Sequence, residues 1–446
     1  QYDPAVVERD LALLESLGAT MVSAQAGSPE CLRSLNDFLA RAYRHGIRVN
    51  LFLPGAHPLY FDPKLVRRLV TEGRLADNPG IFAYDIAWEP RWGNHLERKA
   101  WDKQWHEWIE ERYGRLEAAE ADWAFPCPRE EGAITNPTDE QILNDGPWRV
   151  MVAAYRRFLD DFLSQRLNQV CSFIRTLDRN HLISFRAGYG GTGQEGVDVV
   201  IPFDLASGAR HLDFISPEGW GLFGSWDGIQ DAGVTTLYAR WASNNKPTFW
   251  AEFGFNIYPN YRPQDISLQE QTYDSIYRMI AESGAAGGAG WWFPGGLRVD
   301  ENSDFGVVNP DGTPRPAALA LKAWAKRLRE SPLAAAPDVF IEFDRDLHPR
   351  GYSQVWRRAR EAYLAAINAG RTSALRTGGT ATDVTDDVHP QVAARAIEAA
   401  RTVGIDIAGV DVVCENVGRP LEEQGGGMVE VNAAPGLRMH LDPSYG

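Results

Sequence analysis

The sequence predicts an α/β fold: a (β/α)8 (TIM) barrel lacking its first strand, plus a small α+β C-terminal region. Three observations carry this expectation. At 446 residues, the chain is too long for one ordinary domain and suits a large barrel with an appendage. Across residues 1–331, short apolar runs alternate with helically spaced segments, the pattern of parallel βαβ units. The alternation opens on a helix and holds seven strands, read here as the second to eighth of eight. A doubly wound sheet is the rival, but no Gly-rich phosphate turn follows an early strand.

The elements follow in order. Pro4–Leu17 has helical spacing, with Val6, Val7, Leu11, Leu14 and Leu17 on one face and Gly18 as the stop. Ala19–Ala26 reads as a buried strand, Cys31–His45 as a helix ended by Gly46, and Ile47–Leu53 as a strand. Pro63–Ala76 is predicted helical and Ile81–Trp88 extended. An insertion over residues 92–150 interrupts the pattern. Its Leu96–Trp123 part is amphipathic and carries Trp101, Trp105, Trp108 and Trp123, while Phe125–Pro147 is loop-like. Insertions after a barrel strand lie on the face where active sites are built. Helix Ala153–Leu177 leads to strand Leu182–Ala187, and strand Leu212–Ser216 to helix Ile229–Asn244. Strand Pro247–Glu252, helix Gln269–Ser283, strand Ala289–Phe293 and helix Pro316–Arg329 complete the set. Residues 332–377 begin a post-barrel accessory region, with a strand at Val339–Phe343 and a helix at Tyr352–Ala369.

Composition narrows the function. There are 45 Lys and Arg against 60 Asp and Glu, a net charge of −15, which excludes a nucleic-acid partner because nothing offsets phosphate repulsion. No run of 18 apolar residues and no signal peptide are present, so no membrane partner is expected. Compartment is left open, with bacterial cytoplasm favoured. Cys31, Cys127, Cys171 and Cys414 are too few and scattered for a disulfide framework or a CxxC metal site. The histidines show no HxxxH or HxH spacing, so no metal is expected in the barrel. The 15 tryptophans suit either stacking on sugar rings or simple core packing.

Two glutamates stand where barrel chemistry sits, at C-terminal strand ends. Glu89 closes Tyr84-Asp85-Ile86-Ala87-Trp88-Glu89-Pro90, and Glu252 closes Pro247-Thr248-Phe249-Trp250-Ala251-Glu252-Phe253-Gly254. Counted as the fourth and seventh strands, they face each other across the barrel mouth. Facing carboxylates are what glycosidic cleavage needs: one gives a proton to the leaving oxygen, the other attacks the anomeric carbon or activates water. Trp88 and Trp250 beside them would raise one pKa. His57 and Tyr60 follow the third strand and are candidates to line the pocket. Arg186 and Tyr189 end the fifth strand, where Arg186 binds substrate or pairs with a carboxylate.

These residues resemble the clan of retaining (β/α)8 glycosidases that includes β-galactosidases, cellulases and mannanases. The resemblance covers residues 1–331 and implies Glu89 as acid/base and Glu252 as nucleophile. It further implies Trp291 or Trp292 as the floor of the −1 sugar site, a carbohydrate substrate and no cofactor. The segment Asp304–Pro316 resembles the turn before the last helix in these enzymes. Two departures bear on substrate. Trp88 replaces the Asn that normally precedes the acid/base, and Ser216-Pro217-Glu218-Gly219-Trp220 puts Glu218 and Trp220 on the sixth strand. Glu218 reads as a third site carboxylate, a substrate ligand or a loop-tip charge. A non-catalytic carbohydrate-binding barrel is the alternative.

The end of the chain is of another kind. Asp383-Val384-Thr385-Asp386, Gly409–Val413, Arg419–Gly427 and Val429–Arg438 resemble the end of the ATP-grasp domain of cyanophycin synthetase. That resemblance implies Mg²⁺ ligation by Glu430 and Asn432, with Asp411 a weaker candidate, only within a complete ligase domain. No GxxxxGK[ST] loop occurs, so ATP and magnesium are not expected as cofactors of this chain, and an ATP-dependent ligase is expected only in truncated form. Residues 378–446 are thus a partial ATP-grasp-like segment, and their meeting with a glycosidase-like barrel implies a join of two genes.

Overall fold

Parallel pairing begins at Met21 and runs through seven strands. The structure, a computed structural model, describes residues 2–188, 201–330, 336–345, 352–377, 385–405 and 408–432. They fall into two compact units, Gln1–Arg376 and Thr377–Gly446. Strands β1 (Met21–Gln25), β2 (Arg48–Phe52), β3 (Ile81–Trp88), β4 (Leu182–Ala187) and β5 (Ser216–Pro217) form one sheet in sequence order. Every neighbouring pair is parallel. Parallel bridges Ile215↔Thr248 and Glu218↔Glu252 carry the ladder to β6 (Phe249–Trp250), which pairs in parallel with β7 (Gly287–Gly288). No bridge joins β7 to β1 among the described residues. Strands β2, β3 and β4 bury nearly every side chain, as parallel strands covered on both faces must.

Local rules explain the helices between them. Asp3 caps α1 (Pro4–Ser16) by accepting from the Ala5 and Val6 amides, with Pro4 in the first turn. Asp62 does the same for α3 (Pro63–Glu72), after α2 (Leu32–Arg44) has buried Leu32, Leu35, Leu39 and Ala42. In the insertion, α4 (Asp102–Tyr113) and α5 (Leu116–Trp123) pack on the long α6 (Arg149–Leu177). Trp105 stacks on Trp123 at 5.7 Å and meets Tyr155 edge-on at 5.2 Å, so these insertion tryptophans are core. The Phe125–Pro147 stretch is more regular than its Pro and Gly content predicts. It holds a two-residue hairpin (Arg129–Glu130 with Ala133–Ile134) and a helix at Asp139–Leu143, whose Asp139 meets the buried Arg98 at 2.9 Å.

Helices α7 (Gly233–Ala242), α8 (Pro263–Ser283) and α9 (Pro316–Glu330) complete the alternation. Residues 286–291 run beside 248–253, with Ala286 N to Thr248 O at 2.7 Å, Ala289 N to Trp250 O at 2.9 Å and Trp291 N to Phe253 O at 2.7 Å. The last strand expected at Ala289–Phe293 therefore starts earlier, on Gly287 and Gly288. Glycines carry no hydrophobic signal, and the apolar run behind them drew the sequence reading too far along. The sixth strand is likewise displaced, from Leu212–Ser216 to Ser216–Pro217.

The first unit continues with β8 (Val339–Phe343), α10 (Tyr352–Asn368) and β9 (Ser373–Thr377), where β8 pairs with β9. Phe343 packs edge-on against Trp241 at 4.7 Å, and Arg345 reaches Asp160 at 2.7 Å and Asp204 at 3.0 Å. In the second unit, α11 (Pro390–Val403) accompanies an antiparallel pair, β10 (Gly409–Val413) and β11 (Gly427–Asn432).

Candidate active site

Three carboxylates converge at the C-terminal ends of β3, β5 and β6. Glu89 follows β3 directly, Glu218 follows β5 directly, and Glu252 stands two residues beyond β6. One oxygen from each lies within 4.8 Å of the others. Glu218 and Glu252 are partners in the parallel ladder, and the Gly219 amide donates to the Glu252 carbonyl at 2.7 Å. Ladder partners point the same way, so strand geometry alone sets the two side chains side by side. Glu218 is 0% exposed and Glu252 3%, while Glu89 is half-buried.

Backbone geometry aims Glu89. Its φ is +44°, the left-handed region that non-glycine residues rarely adopt, and the following Pro90 restricts it further. Its amide donates to the Arg186 carbonyl at 3.1 Å. A Cβ on Gly188 would lie 3.0 Å from the Glu89 Cβ and Cγ, so that glycine leaves room for the side chain. Gly254 does the same beyond Glu252, where an added Cβ would meet the Trp291 carbonyl oxygen at 2.2 Å. The glycine of the Glu-Phe-Gly string thus lets the last strand cross close behind Glu252.

Arg186 organises the charges. Its Nε donates to Asp85 Oδ2 at 2.7 Å, and its Nη1 donates to Glu252 Oε1. Asp85 is 1% exposed on β3, and sequence reasoning missed it as a site residue. The available signal was a carboxylate inside an otherwise apolar strand. Burial pushes the Glu252 pKa up to about 7; Arg186 pulls it down, and the Glu89 and Asp85 charges push it up. Burial likewise pushes Glu218 well above the usual carboxylate range, with the charges of Glu252 and Glu89 and contact with the Glu89 carboxyl; Arg186 opposes. The trio has the convergence of a metal site among the described residues, but the Arg186 cation already bonds Glu252, which disfavours a second cation there.

Aromatic rings wall the mouth. Arg186 lies over the Trp88 ring at 4.1 Å, and Trp88, 38% exposed, meets Trp291 edge-on at 5.7 Å. Trp291 and Trp292 are 4.7 Å apart, with Arg298 over both rings at 5.2 and 4.5 Å. Trp220 is half-buried and packs edge-on against Phe305 at 5.4 Å. His57 lies 5.0 Å from the Tyr60 ring, and burial lowers its pKa to about 4, so it is neutral. Tyr60 is 72% exposed. Tyr189 lies outside the described residues, as do Asp383, Val384 and 433–438 of the tail strings. In the tail, Glu430 pairs with Asp411 across β10 and β11, and both are exposed.

No family model matches the chain. Solved structures of similar fold include the β-galactosidase of the psychrophilic Marinomonas ef1, with a TM-score of 0.61, 16% identity and coverage of 84% of this chain and 68% of that one. The β-galactosidase of Halorubrum lacusprofundi gives a TM-score of 0.63 at 16% identity, over 84% and 65%. A family 5 glycoside hydrolase of Streptomyces cattleya, crystallised with Manβ1-4GlcNAc, gives 0.54 at 14% identity, over 84% and 89%. Among curated proteins, cyanophycin synthetase of Geminocystis herdmanii is 49% identical over 92 residues, 21% of this chain and 10% of that protein. The Nostoc enzyme is 52% identical over 75 residues, 17% and 8%. The chain thus spans about a tenth of the length of these curated relatives. It has the fold of the (β/α)8 glycoside hydrolases, and its C-terminal segment is similar to a fragment of cyanophycin synthetase.

Proposed function

We propose that the chain is a glycoside hydrolase that cleaves β-glycosidic bonds with retention of configuration, using Glu89 as acid/base and Glu252 as nucleophile. The observation that carries this is the convergence of strand-end carboxylate oxygens within 4.8 Å. That limit on the nearest oxygens agrees with the roughly 5–5.5 Å of retaining enzymes better than with the about 6.5–9.5 Å of inverting ones.

The roles follow from surroundings. Arg186 bonds Glu252 and favours its anion, the form that attacks an anomeric carbon. Glu89 is the more exposed of the two and so the better placed to reach a leaving oxygen. In the first step Glu89 protonates that oxygen as Glu252 forms the glycosyl ester; in the second, Glu89 takes a proton from water, which releases the sugar. Trp88 and Trp291 supply apolar faces beside the reacting carbon.

The test is hydrolysis of a panel of aryl β-glycosides. Glu252→Ala should lower kcat/KM on the order of 10⁴-fold, and added azide should restore turnover with an α-glycosyl azide as product. Glu89→Ala should yield the β-glycosyl azide instead. Wild-type rates in both variants would sink the proposal, and exchanged azide products would reverse the two roles.

A further inference from the structure

Glu218 is the unexplained group of this site. Neither of its carboxyl oxygens has a hydrogen-bond partner, although the residue is fully buried. An ionised carboxylate in that position would have no donor at all, a costly arrangement. The groups facing it are Glu252 from β6, Glu89 from the end of β3, and Arg186 from β4, which is itself engaged by Asp85 and Glu252. With all of them ionised, one guanidinium would face four carboxylates in a buried space. Like charges this close do not all ionise, so a proton stays within the trio. Glu252 is held toward its anion by Arg186, and Glu89 must cycle between acid and base. Only Glu218 has no other demand on it.

We propose that Glu218 is a positioning residue, a carboxylic acid that stays protonated through the reaction and donates its O–H to a neighbouring carboxylate of the trio. It rests on the glycosidase reading for its kinetic consequence, but the protonation itself does not. No bond to substrate is made or broken by Glu218. Its O–H supplies a neutral donor within the trio, which orients the facing carboxylates without adding a charge that would hold Glu89 protonated after transfer. Ladder pairing fixes the Glu218 and Glu252 side chains in register, so the donor needs no rearrangement.

Glu218→Gln keeps the shape and a neutral donor; Glu218→Ala removes both. The expected result is a kcat/KM loss of less than about tenfold for Gln and of about 100-fold or more for Ala. The high-pH limb of the Gln variant should stay within about half a unit of wild type, because one neutral group replaces another. The infrared carbonyl band of protonated carboxylic acids at neutral pH should lose one component in the Gln variant, while the component from Glu252, which titrates near 7, stays. Three results would overturn the proposal: no such component lost in Glu218→Gln, a limb lowered by about one unit or more, or equal losses in Gln and Ala. The infrared measurement needs no substrate. A lost component in a protein that hydrolyses nothing would uphold the proton on Glu218 while the glycosidase reading fails.

Discussion

Replacing Arg186 with Met tests the electrostatics of the site. The guanidinium holds two buried carboxylates, Asp85 and Glu252, and it is the main influence opposing the burial that pushes Glu252 up to about 7. Removing one partner of a buried ion pair costs about 3–5 kcal/mol, and one pKa unit is worth about 1.36 kcal/mol. The orphaned carboxylates will take up protons rather than stay ionised, so Glu252 should titrate about two units higher than now. At pH 7 its anion would then fall from about half of the molecules to about one in a hundred, and kcat/KM should drop about 50-fold. The assay is kcat/KM on an aryl β-glycoside across about pH 5 to about pH 10, which reports the free enzyme's groups. The low-pH limb should move from about 7 in the wild type to about 9 in the variant. Arg186→Lys keeps a charge but loses the fork that serves both partners, so its limb should move by less than about one unit. An unmoved limb with kcat/KM within about threefold of wild type in Arg186→Met would refute the reasoning.

Three further outcomes follow from the same structure. Glu252 titrates near 7 folded and near 4.5 as a free side chain, so the folded state binds the extra proton. Its contribution to stability is best at low pH and falls as pH rises from about 4.5 to about 7, by about 3 kcal/mol, which urea denaturation at the two ends would read. Glu252→Gln should flatten that change. Gly254→Ala drives a Cβ to 2.2 Å from the Trp291 carbonyl oxygen; the expected loss is about 1–3 kcal/mol of stability, seen as a lower Tm, with a fall in kcat/KM as Trp291 is displaced. A chain ended at Arg376, where the first compact unit closes, should keep its hydrolytic rate, and the full chain should give no heat with Mg²⁺-ATP in calorimetry.

How much of this was legible beforehand depended on whether the signal was local. Glu89 and Glu252 announced themselves as charged residues closing apolar strands, and the structure brings them together with Glu218, which the count of strands had placed on the sixth. Trp88 and Trp291 meet at the mouth, whereas Trp105, Trp108 and Trp123 form a buried cluster. Sequence could not separate these groups, because a tryptophan's apolar pattern is the same in a core and on a wall. Asp85 was hidden because its partner Arg186 is 101 residues away, and no local pattern reports such a pair. The last strand was misplaced because its two glycines carry no strand signature, although Gly288 leaves no room for a Cβ beside Ile280 and Phe253. The left-handed backbone of Glu89 was equally invisible, since the residue before a proline ordinarily avoids it.

The central claim is that Glu252 forms a covalent bond to the sugar. Incubation with 2-deoxy-2-fluoro aryl β-glycosides slows the second step and should trap that ester, and peptide mass mapping then locates it. The account predicts one sugar per chain on the peptide holding Glu252, and none on Glu252→Gln. A chain that hydrolyses aryl β-glycosides yet is labelled on Glu89 or Glu218, or is not labelled by any of these reagents, would contradict it.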